Sequence, residues 1–424
     1  MEDTRQYNFS GTFMRIAVFS DVLLEVPGGI PSSIFAQKES LEKLGHEVTI
    51  FAPGFSSKDK DVKLVPTHRL LRANGAPLSK RPGLVVKKIL EDYPEFDFDI
   101  VHVHYEASCS IAGMKLARRF NRPLVQTMHG REDMAVKVNI PFPFKNLVAL
   151  LLCFLHGRYI PHPIKVKRDN SLANTFATAK MWTLMVNHAN FADKVITPSE
   201  HFAKRLKKYG VKKPISVVSN GVADETVAEV DKRVAKVDAS LTRDFQPGDK
   251  LRIFWNSRLS HEKRIMPFLE ALSLMKAPFL FSACGDGNAL NEAKKFVKKH
   301  DMEKKVVFYG RVPHDEVLDK MLGQHISAIV SYGFDTQGLT LLEAEATGLP
   351  VFFCDPDMKE SVPEGGYVMA NGPSPREMAR ALDELAKNPE KIREMSKVML
   401  THRVEILQST QIEKLLKVYQ SFGV

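Results

Sequence analysis

The chain alternates short β-branched runs with longer segments of helical periodicity, and this alternation restricts its fold more than any other feature. Strand-like runs of the first half occupy residues 15–21, 47–53, 99–105, 123–130, 194–199 and 215–221. Those of the second half occupy residues 252–258, 279–287, 306–312, 326–333 and 350–356. Nearly continuous apolar strands between helices are typical of buried parallel sheets. The two series therefore predict an α/β protein with two doubly wound domains.

The domain boundary is expected near Gly221. The length of 424 residues fits two domains of roughly 200 residues each. Asn220-Gly221 is a turn signal, and the stretch after it is polar. We expect a first domain over residues 1–221, a second over 222–404, and a terminal helix within 405–424 that packs back onto the first domain.

The N-terminal residues and the cysteines bear on export and redox state. Residues 1–13 contain no apolar segment of the secretory type and are expected to form a loose extension. The four cysteines lie far apart and include no C-x-x-C pair. They indicate small buried side chains in a reducing compartment.

The net charge of +10 is concentrated in one region. Residues 141–213 contain thirteen Lys and Arg against three Asp and Glu, so the rest of the chain is balanced overall. Within this region, segment 140–168 is rich in leucine and phenylalanine, and the helix-like stretch 200–213 is strongly basic. Such stretches suit an anionic membrane surface, and a core helix beside a solvated basic face is the alternative. The expected membrane or acceptor residues are Phe142, Phe144, Lys204, Arg205, Lys207 and Lys208.

Any membrane contact is predicted to be peripheral, because no segment approaches the ~20 apolar residues that cross a bilayer. The basic stretch is not predicted to bind nucleic acid. Aromatic residues able to stack on bases are few in it, and no nucleic-acid-binding motif occurs.

Residues that follow the strands are candidates for a site, since open α/β sheets bind ligands beyond the carboxyl ends of their strands. Gly28 and Gly29 form a turn before a helix, where backbone N–H groups can hold a phosphate or a sugar. The turn is not the dinucleotide pattern G-x-G-x-x-G, and a plain strand–helix turn is equally compatible. Arg258 and Lys263 can converge on one diphosphate, with a solvated charge run as the alternative.

Two further strand ends carry small or charged residues. Gly285-Asp286 and Gly310-Arg311-Val312 follow successive strands of the second half. Small residues there allow a flat ring to approach the backbone, although ordinary turn glycines explain them as well.

The most informative segment is 332–348, which reads YGFDTQGLTLLEAEATG. Gly338 opens a predicted helix, whose free N–H groups and positive dipole end suit a diphosphate. Asp335 precedes this helix, and Glu343 lies inside it. Carboxylates accept hydrogen bonds from the vicinal hydroxyls of a sugar or ribose. The segment therefore predicts a binding site for a nucleotide sugar, and two solvated helix acids are the alternative.

These residues resemble the E-x7-E element of GT-B retaining glycosyltransferases of family 4, with Asp335 in place of the first glutamate. The resemblance covers nearly the whole chain. It includes the Gly28-Gly29 turn, T-M-H-G at 127–130, T-P-S-E at 197–200, S-N-G-V at 219–222 and R-x-x-x-E-K at 258–263. The wording D-T-Q-G-L-T is similar to the E-T-Q-G-L form of bacterial diacylglycerol glucosyltransferases.

The resemblance implies a GT-B fold, in which two Rossmann-like domains face each other across a cleft. It implies that Glu343 holds the ribose, that Asp335 meets the transferred sugar, and that His129 lies near the anomeric carbon and the acceptor. A purely structural strand-end histidine is the alternative for His129, and the shorter Asp335 leaves the sugar identity open. The expected catalytic residues are His129, Asp335, Lys263 and Arg258. The expected donor-binding residues are Gly28, Gly29, Arg258, Lys263, Gly285, Asp286, Arg311, Val312, Asp335, Gln337, Gly338, Leu339 and Glu343.

The expected function is transfer of a hexose, with retention, from a UDP-sugar such as UDP-glucose to a membrane lipid such as diacylglycerol. The resemblance implies a front-side route in which the leaving diphosphate helps to deprotonate the acceptor, and no carboxylate pair of the glycosidase type is evident. The chain is expected in the cytoplasm, peripheral on the inner face of the cell membrane. Alternatives are a soluble or polyprenyl-linked saccharide acceptor, a non-catalytic binding module, an epimerase and a phosphorylase.

No cofactor is expected, because the UDP-sugar is a substrate. Asp355-Pro356-Asp357 spells D-x-D, which is a metal–diphosphate motif in a different transferase fold. We do not expect it to hold a metal here, since Arg258 and Lys263 already supply cations.

Overall fold

The computed structural model describes residues 13–22, 28–73, 76–141, 143–236, 245–246 and 248–423. Strands of the first half are β1 (Arg15–Phe19), β2 (Glu47–Pro53), β3 (Val62–Val65), β4 (Thr67–Ala73), β5 (Ala76–Ser79), β6 (Ile100–Val103), β7 (Leu124–Thr127), β8 (Lys194–Thr197) and β9 (Ile215–Val217). Its helices are α1 (Gly29–Lys43), α2 (Pro82–Asp92), α3 (Ser108–Arg119), α4 (Glu132–Asn139), α5 (Phe144–Gly157), α6 (Phe176–Phe191) and α7 (Glu200–Tyr209).

The second half contains β10 (Leu251–Asn256), β11 (Phe279–Cys284), β12 (Val306–Gly310), β13 (Ile326–Ile329), β14 (Val351–Phe353) and β15 (Tyr367–Met369). The helices are α8 (Asp224–Lys236), α9 (Ile265–Leu274), α10 (Leu290–Lys299), α11 (His314–Leu322), α12 (Leu339–Ala346), α13 (Pro375–Ala386), α14 (Pro389–His402) and α15 (Gln408–Gln420). Short 3-10 turns occupy His261–Lys263, Pro356–Ser361 and Arg403–Ile406.

These strands form two parallel sheets, which confirms the predicted pair of doubly wound α/β domains. The strand order is β3-β2-β1-β6-β7-β8-β9 in the first sheet and β12-β11-β10-β13-β14-β15 in the second. Helices cover both faces of each sheet, so a strand such as β6 is buried along its whole length. Packing is close enough to require glycine in one helix, since a Cβ at Gly113 of α3 would lie 2.5 Å from the Phe19 ring.

The chain returns to the first domain at its carboxyl end. Val222 and Gln408 cross side by side, with Val222 N–H donating to Ile406 O and Gln408 N–H donating to Val222 O, both at 2.8 Å. A Cβ at Gly221 would lie 2.6 Å from Gln408 Cα, so the two crossings touch there. Beyond the crossing, α15 packs on α1 and buries Ile412, Leu415, Leu416 and Tyr419 in the core of the first domain.

The predicted strands extend too far in several places. β1 ends at Phe19 because Asp21 turns away and accepts N–H bonds from Ala107, Cys109 and Ser110 at the start of α3. The predicted basic helix 200–213 ends at Tyr209, because Gly210 adopts φ +113°. Strands β3, β4, β5 and β15 were not predicted.

Candidate active site

A buried ion pair lies at the centre of the cleft wall formed by the second domain. Lys263 Nζ lies 2.5 Å from Asp335 Oδ1, and the Ser331 hydroxyl also donates to this carboxylate. Burial raises the pKa of Asp335, but Lys263, Ser331 and Arg258 outweigh it and hold that pKa below its usual value. Asp335 is therefore ionised at neutral pH.

Arg258 is placed beside this pair by a residue that the sequence argument did not single out. Its guanidinium lies 3.0 Å from Glu262 Oε1, and the Glu262 side chain is almost fully buried. The Ser260 hydroxyl donates to the same oxygen at 2.7 Å. Glu262 thus orients an arginine whose own side chain is 53% exposed and open to an anion.

The start of α12 brings Glu343 to the same wall. Gly338 adopts φ +83°, a left-handed conformation that favours glycine, and the helix begins at the next residue. Glu343 accepts hydrogen bonds from Asn256 Nδ2 at 2.7 Å and from His314 Nε2 at 3.0 Å. The hydrogen bond to Glu343 raises the pKa of His314. A carboxylate has about four lone-pair positions, so Glu343 can accept further hydroxyl groups.

Gly285, which follows β11, has a packing role. Gly285 adopts φ +135°, and a Cβ there would lie 2.1 Å from Ser257 O. Asp286 accepts the N–H of Gly287 at 2.7 Å and its carbonyl accepts the N–H of Leu259 at 3.0 Å. The loops after β10 and β11 therefore pack backbone against backbone, which only glycine permits at residue 285.

Arg311 and Val312 lie next along this edge of the sheet. Arg311 is exposed directly after β12, whereas Val312 packs against the core around β13 and α12. The Arg311 side chain is thus accessible to a ligand, whereas the Val312 side chain is partly buried against the core.

The first domain closes over this wall through the Gly-Gly turn. Gly28 precedes α1, and a Cβ at Gly29 would lie 3.4 Å from Leu339 Cδ1 of the second domain. The Gly-Gly turn therefore lies directly against the start of α12.

Gln337, one of the expected donor-binding residues, uses its side chain at the domain junction. Its side chain is buried and joins the domains: Nε2 donates to Ser219 Oγ at 2.5 Å, and Oε1 accepts from Asn220 Nδ2 at 2.8 Å. Asn220 Oδ1 in turn accepts the Ser33 hydroxyl of α1 at 2.8 Å. The S-N-G-V and D-T-Q-G-L motifs thus meet at the domain junction.

His129 follows β7 and lies in a row with His102 and His104, of which His102 and His104 are buried and His129 is half-buried. His129 Nε2 and His104 Nδ1 share a hydrogen bond of 2.9 Å. His102 bonds to Tyr419 of α15 and to Thr127, both at 2.7 Å. Burial lowers the pKa of His129 to about 3. His129 is therefore a neutral imidazole, which can accept or donate a hydrogen bond but carries no charge.

Two acids next to this row were missed by the sequence argument. Glu106 follows β6 and Glu132 begins α4. Burial and the neighbouring Glu132 raise the pKa of Glu106 well above its usual value. Their positions after strands could have indicated them as site candidates, since Glu106 comes three residues after β6 ends.

An exposed apolar surface lies on α5. Only Ala149, Cys153 and His156 of this helix are buried, where it packs on α6. The apolar face of α5 comprises Phe144, Leu147, Leu150, Leu151, Phe154 and Leu155, with exposed fractions from 45% to 64%. Basic residues continue from its end, and Arg158, Lys165, Lys167 and Arg168 are all exposed. Phe142 lies outside the described residues.

The basic residues of α7 are divided between two environments. Lys204, Lys207 and Lys208 are exposed, as a surface role requires. Arg205 is not available in the same way, because its guanidinium pairs with Asp357 of the second domain. The sequence could not show this partner, which lies far along the chain.

A second apolar and basic surface was not predicted. The β4–β5 hairpin follows the edge strand β3, and Leu70 on it is 93% exposed, with Leu71, Leu78 and Arg69 exposed beside it. Residues 62–90 contain seven Lys and Arg and no acidic residue. The overall charge balance outside 141–213 therefore conceals a local basic excess.

The D-x-D sequence has a structural role. Asp355 accepts the N–H of Gly333 at 2.6 Å and that of Asp357 at 3.2 Å, and Asp357 pairs with Arg205. Over the described part of the chain, no three His, Cys, Asp or Glu side chains gather in a way that would hold a metal. None of the helices over the same residues is long and apolar enough to cross a bilayer.

Two doubly wound domains that face each other across a cleft are the architecture of the GT-B glycosyltransferases. The family model of Glycosyltransferase Family 4 matches residues 27–226, and that of Glycosyl transferases group 1 matches residues 242–399. The chain belongs to the glycosyltransferases that join these two domains, in agreement with the resemblance seen in its motifs.

Individual relatives agree with this family. An alpha-monoglucosyldiacylglycerol synthase of Streptococcus pneumoniae is 27% identical over 350 residues, which are 80% of this chain and 70% of that protein. The enzyme of the same name from Acholeplasma laidlawii is 25% identical over 392 residues, 91% of each chain. The fold resembles that of Anabaena HepE in complex with UDP-glucose, with a TM-score of 0.64 at 15% identity, over 96% of this chain and 100% of that one.

Proposed function

We propose that this glycosyltransferase moves a hexose, with retention, from UDP-glucose or a similar UDP-sugar to a membrane lipid such as diacylglycerol. The observation that carries the proposal is the position of the apolar face of α5. This helix follows β7, His129 and α4 in the chain, and we take its exposed leucines and phenylalanines as the surface by which an acceptor dissolved in a bilayer would reach the cleft. The names of the two synthases above favour the same acceptor.

The donor half of the proposal depends on charge. A diphosphate can bind between Arg258, Lys263 and the free N–H groups at the start of α12. Lys263 is already paired with Asp335, but an ammonium group has three N–H donors, so it can bind a phosphate oxygen at the same time. Glu343 can then accept the ribose hydroxyls, and Asp335 can meet the sugar. The UDP-glucose complex of HepE supports a nucleotide sugar as the donor.

The chemical step requires stabilisation of the leaving diphosphate. Positive groups that are held in place before the reaction stabilise charge that develops on the leaving oxygen. We assign this to Arg258 and Lys263, with the leaving diphosphate accepting the proton of the acceptor hydroxyl on the same face of the sugar. His129, as a neutral imidazole, orients the acceptor or the sugar. These steps use no metal and no cofactor.

The topology supports a membrane as the place of reaction. The hairpin emerges from the carboxyl end of β3, and α4 and α5 emerge from that of β7, so both lie at the same edge of one parallel sheet. Four strand spacings separate β3 from β7, which is about 19 Å. His104 follows β6, which lies between β3 and β7 in the sheet, and His129 follows β7. The two apolar surfaces therefore flank the cleft, and basic residues beside both favour an anionic leaflet at the inner face of the cell membrane.

The test is product analysis with purified protein. UDP-glucose is supplied with diacylglycerol in phosphatidylcholine vesicles, with and without phosphatidylglycerol. We expect an α-glucosyl lipid, identified by mass spectrometry and by the anomeric proton coupling, and faster formation on the anionic vesicles. Release of UDP without any glycolipid, together with transfer to a soluble or polyprenyl-linked saccharide, would reject the lipid acceptor and leave that alternative.

A further inference from the structure

A buried arginine links the two walls of the cleft next to the expected reaction centre. We propose that Arg131 is a positioning residue that, together with Thr336, holds the donor loop (residues 333–337) against the first domain when the cleft is closed. This inference rests on the proposed function, because the donor loop carries Asp335. It concerns a residue whose guanidinium bonds to Asp133 and to the carbonyl of Gly333.

The guanidinium of Arg131 is fixed within the first domain. Its Nε and Nη2 donate to the two carboxylate oxygens of Asp133, both at 2.7 Å, and both side chains are fully buried. Trp182 of α6 donates its indole N–H to Asp133 at 3.1 Å, and the guanidinium lies 5.4 Å from the centre of the indole ring. Two hydrogen bonds to Asp133 and the contact with the Trp182 ring thus orient Arg131 within the first domain.

The Nη1 group of Arg131 reaches across the cleft to the second domain. Arg131 Nη1 donates to the carbonyl of Gly333 at 2.8 Å. Gly333 adopts φ +63°, and its N–H donates to Asp355 at 2.6 Å. The start of the donor loop is therefore held from both domains, two residues before Asp335.

A second hydrogen bond crosses at the other side of Asp335. The Thr336 hydroxyl donates to the carbonyl of His129 at 2.6 Å. His129 and Arg131 belong to one short segment after β7, so two contacts of this segment bracket Asp335. The closure that brings His129 towards the sugar is thus the same closure that orders the loop around Asp335.

The energetics favour this closed arrangement. A buried ion pair is stable only if its remaining donors are also satisfied. When the domains separate, Arg131 Nη1 loses its acceptor and must find water next to an otherwise buried group. Lysine cannot replace arginine here, because one ammonium group cannot make the planar double contact with Asp133 and also reach Gly333.

The experiment compares Thr336→Val, Thr336→Ser and Arg131→Lys with Lys43→Ala. Lys43 of α1 pairs with Glu225 of α8, an exposed contact between the domains outside the cleft. It is the matched control for loss of one interdomain contact. For each protein we measure kcat with UDP-glucose and diacylglycerol vesicles, the Kd for UDP by calorimetry, and small-angle scattering with saturating UDP.

We expect Thr336→Val to lower kcat about tenfold, and Arg131→Lys between about tenfold and a hundredfold. The Kd for UDP should change less than about twofold in the threonine variant, because Arg258 and Lys263 belong to the second domain. Thr336→Ser should recover the wild-type kcat, and Lys43→Ala should keep it. Scattering should fit the closed structure for the wild type and a more open one for Arg131→Lys.

Two results would overturn the inference. One is an equal loss of kcat in Lys43→Ala and Thr336→Val, and the other is identical scattering for the wild type and Arg131→Lys. Scattering and UDP binding need no lipid acceptor. If the wild type forms no glycolipid, the proposed function fails, and the scattering comparison still decides the role of Arg131.

Discussion

Replacing Lys263 by methionine removes one charge from the buried pair with Asp335 and leaves the volume nearly unchanged. Lys263 Nζ lies 2.5 Å from Asp335 Oδ1, and the two side chains are only 17% and 9% exposed. The substitution therefore has two consequences, one for the expected leaving group and one for a carboxylate that remains buried.

Both magnitudes follow from this geometry. Removing one partner of a buried ion pair costs about 3–5 kcal/mol, and we expect the lower end because Ser331 and Arg258 still contact or face Asp335. Losing a cation that faces the developing charge lowers kcat by about a hundredfold to a thousandfold, or about 3–4 kcal/mol. Turnover is therefore expected to fall even at a temperature at which the variant is fully folded.

The loss of stability in Lys263→Met depends on pH. In the wild type the pKa of Asp335 is lowered, so its contribution to stability is present above the unfolded pKa and is lost as the pH falls through the folded pKa. In Lys263→Met, burial becomes the dominant influence and raises that pKa. The difference in stability between the two proteins should then shrink on acidification, because protonation relieves the buried charge in the variant and weakens the pair in the wild type.

The assay combines urea denaturation at several pH values with kinetics on UDP-glucose. Lys298→Met changes an exposed lysine of α10 and serves as the control. In the double variant Lys263→Met with Asp335→Asn, no buried charge is left unpaired, so stability should return to within about 1 kcal/mol of the wild type. Activity should stay low. Near-wild-type kcat in the stable double variant would refute the assignment of Lys263 to the leaving group.

Three further predictions concern other parts of the molecule. Burial and repulsion by Glu405 raise the pKa of Glu345 to about 8, so stability falls as the pH rises from the ordinary carboxyl pKa to about 8, because the unfolded chain releases a proton that the folded chain keeps. Glu345→Gln has no proton to release and should stabilise the chain by roughly 3 kcal/mol at pH 7 in urea denaturation. Leu147→Asn with Leu151→Asn should abolish co-sedimentation with anionic vesicles, because burial of each leucine in the bilayer contributes about 1.5–3 kcal/mol of binding free energy, and the Kd for UDP should stay unchanged. Undiminished sedimentation would count against the α5 surface. Because burial lowers the pKa of His129 to about 3, the pH profile of kcat/KM should show no inflection from His129 between about pH 5 and 8, and an inflection that vanishes in His129→Asn would contradict this.

The donor wall was accessible from the sequence because its parts are local. Asp335, Gly338 and Glu343 lie within one loop and one helix, so their spacing alone indicates how they are arranged. The alternation of strands and helices likewise reflects local periodicity, which is why the fold class followed from it. Strand ends were less accurate, since residues such as Asp21 leave the strand to cap a distant helix.

The exposed apolar surfaces could not be located from hydropathy alone. A helix that is apolar on all sides is usually buried, and α5 has this composition. Only its packing shows that the narrow face of Ala149, Cys153 and His156 is covered and that the leucines around it are exposed. The hairpin escaped notice for a related reason, because Leu70 in a short strand resembles an ordinary buried residue.

By itself, the sequence determined two α/β domains and the local segment that carries Asp335, Gly338 and Glu343, since both depend on patterns of neighbouring residues. Only the tertiary structure decided which groups meet across the cleft. Arg131 reaches Gly333 and Gln337 reaches Asn220 over separations of 202 and 117 residues. Such contacts depend on how two separately formed cores come together, and no local pattern of residue types encodes that geometry.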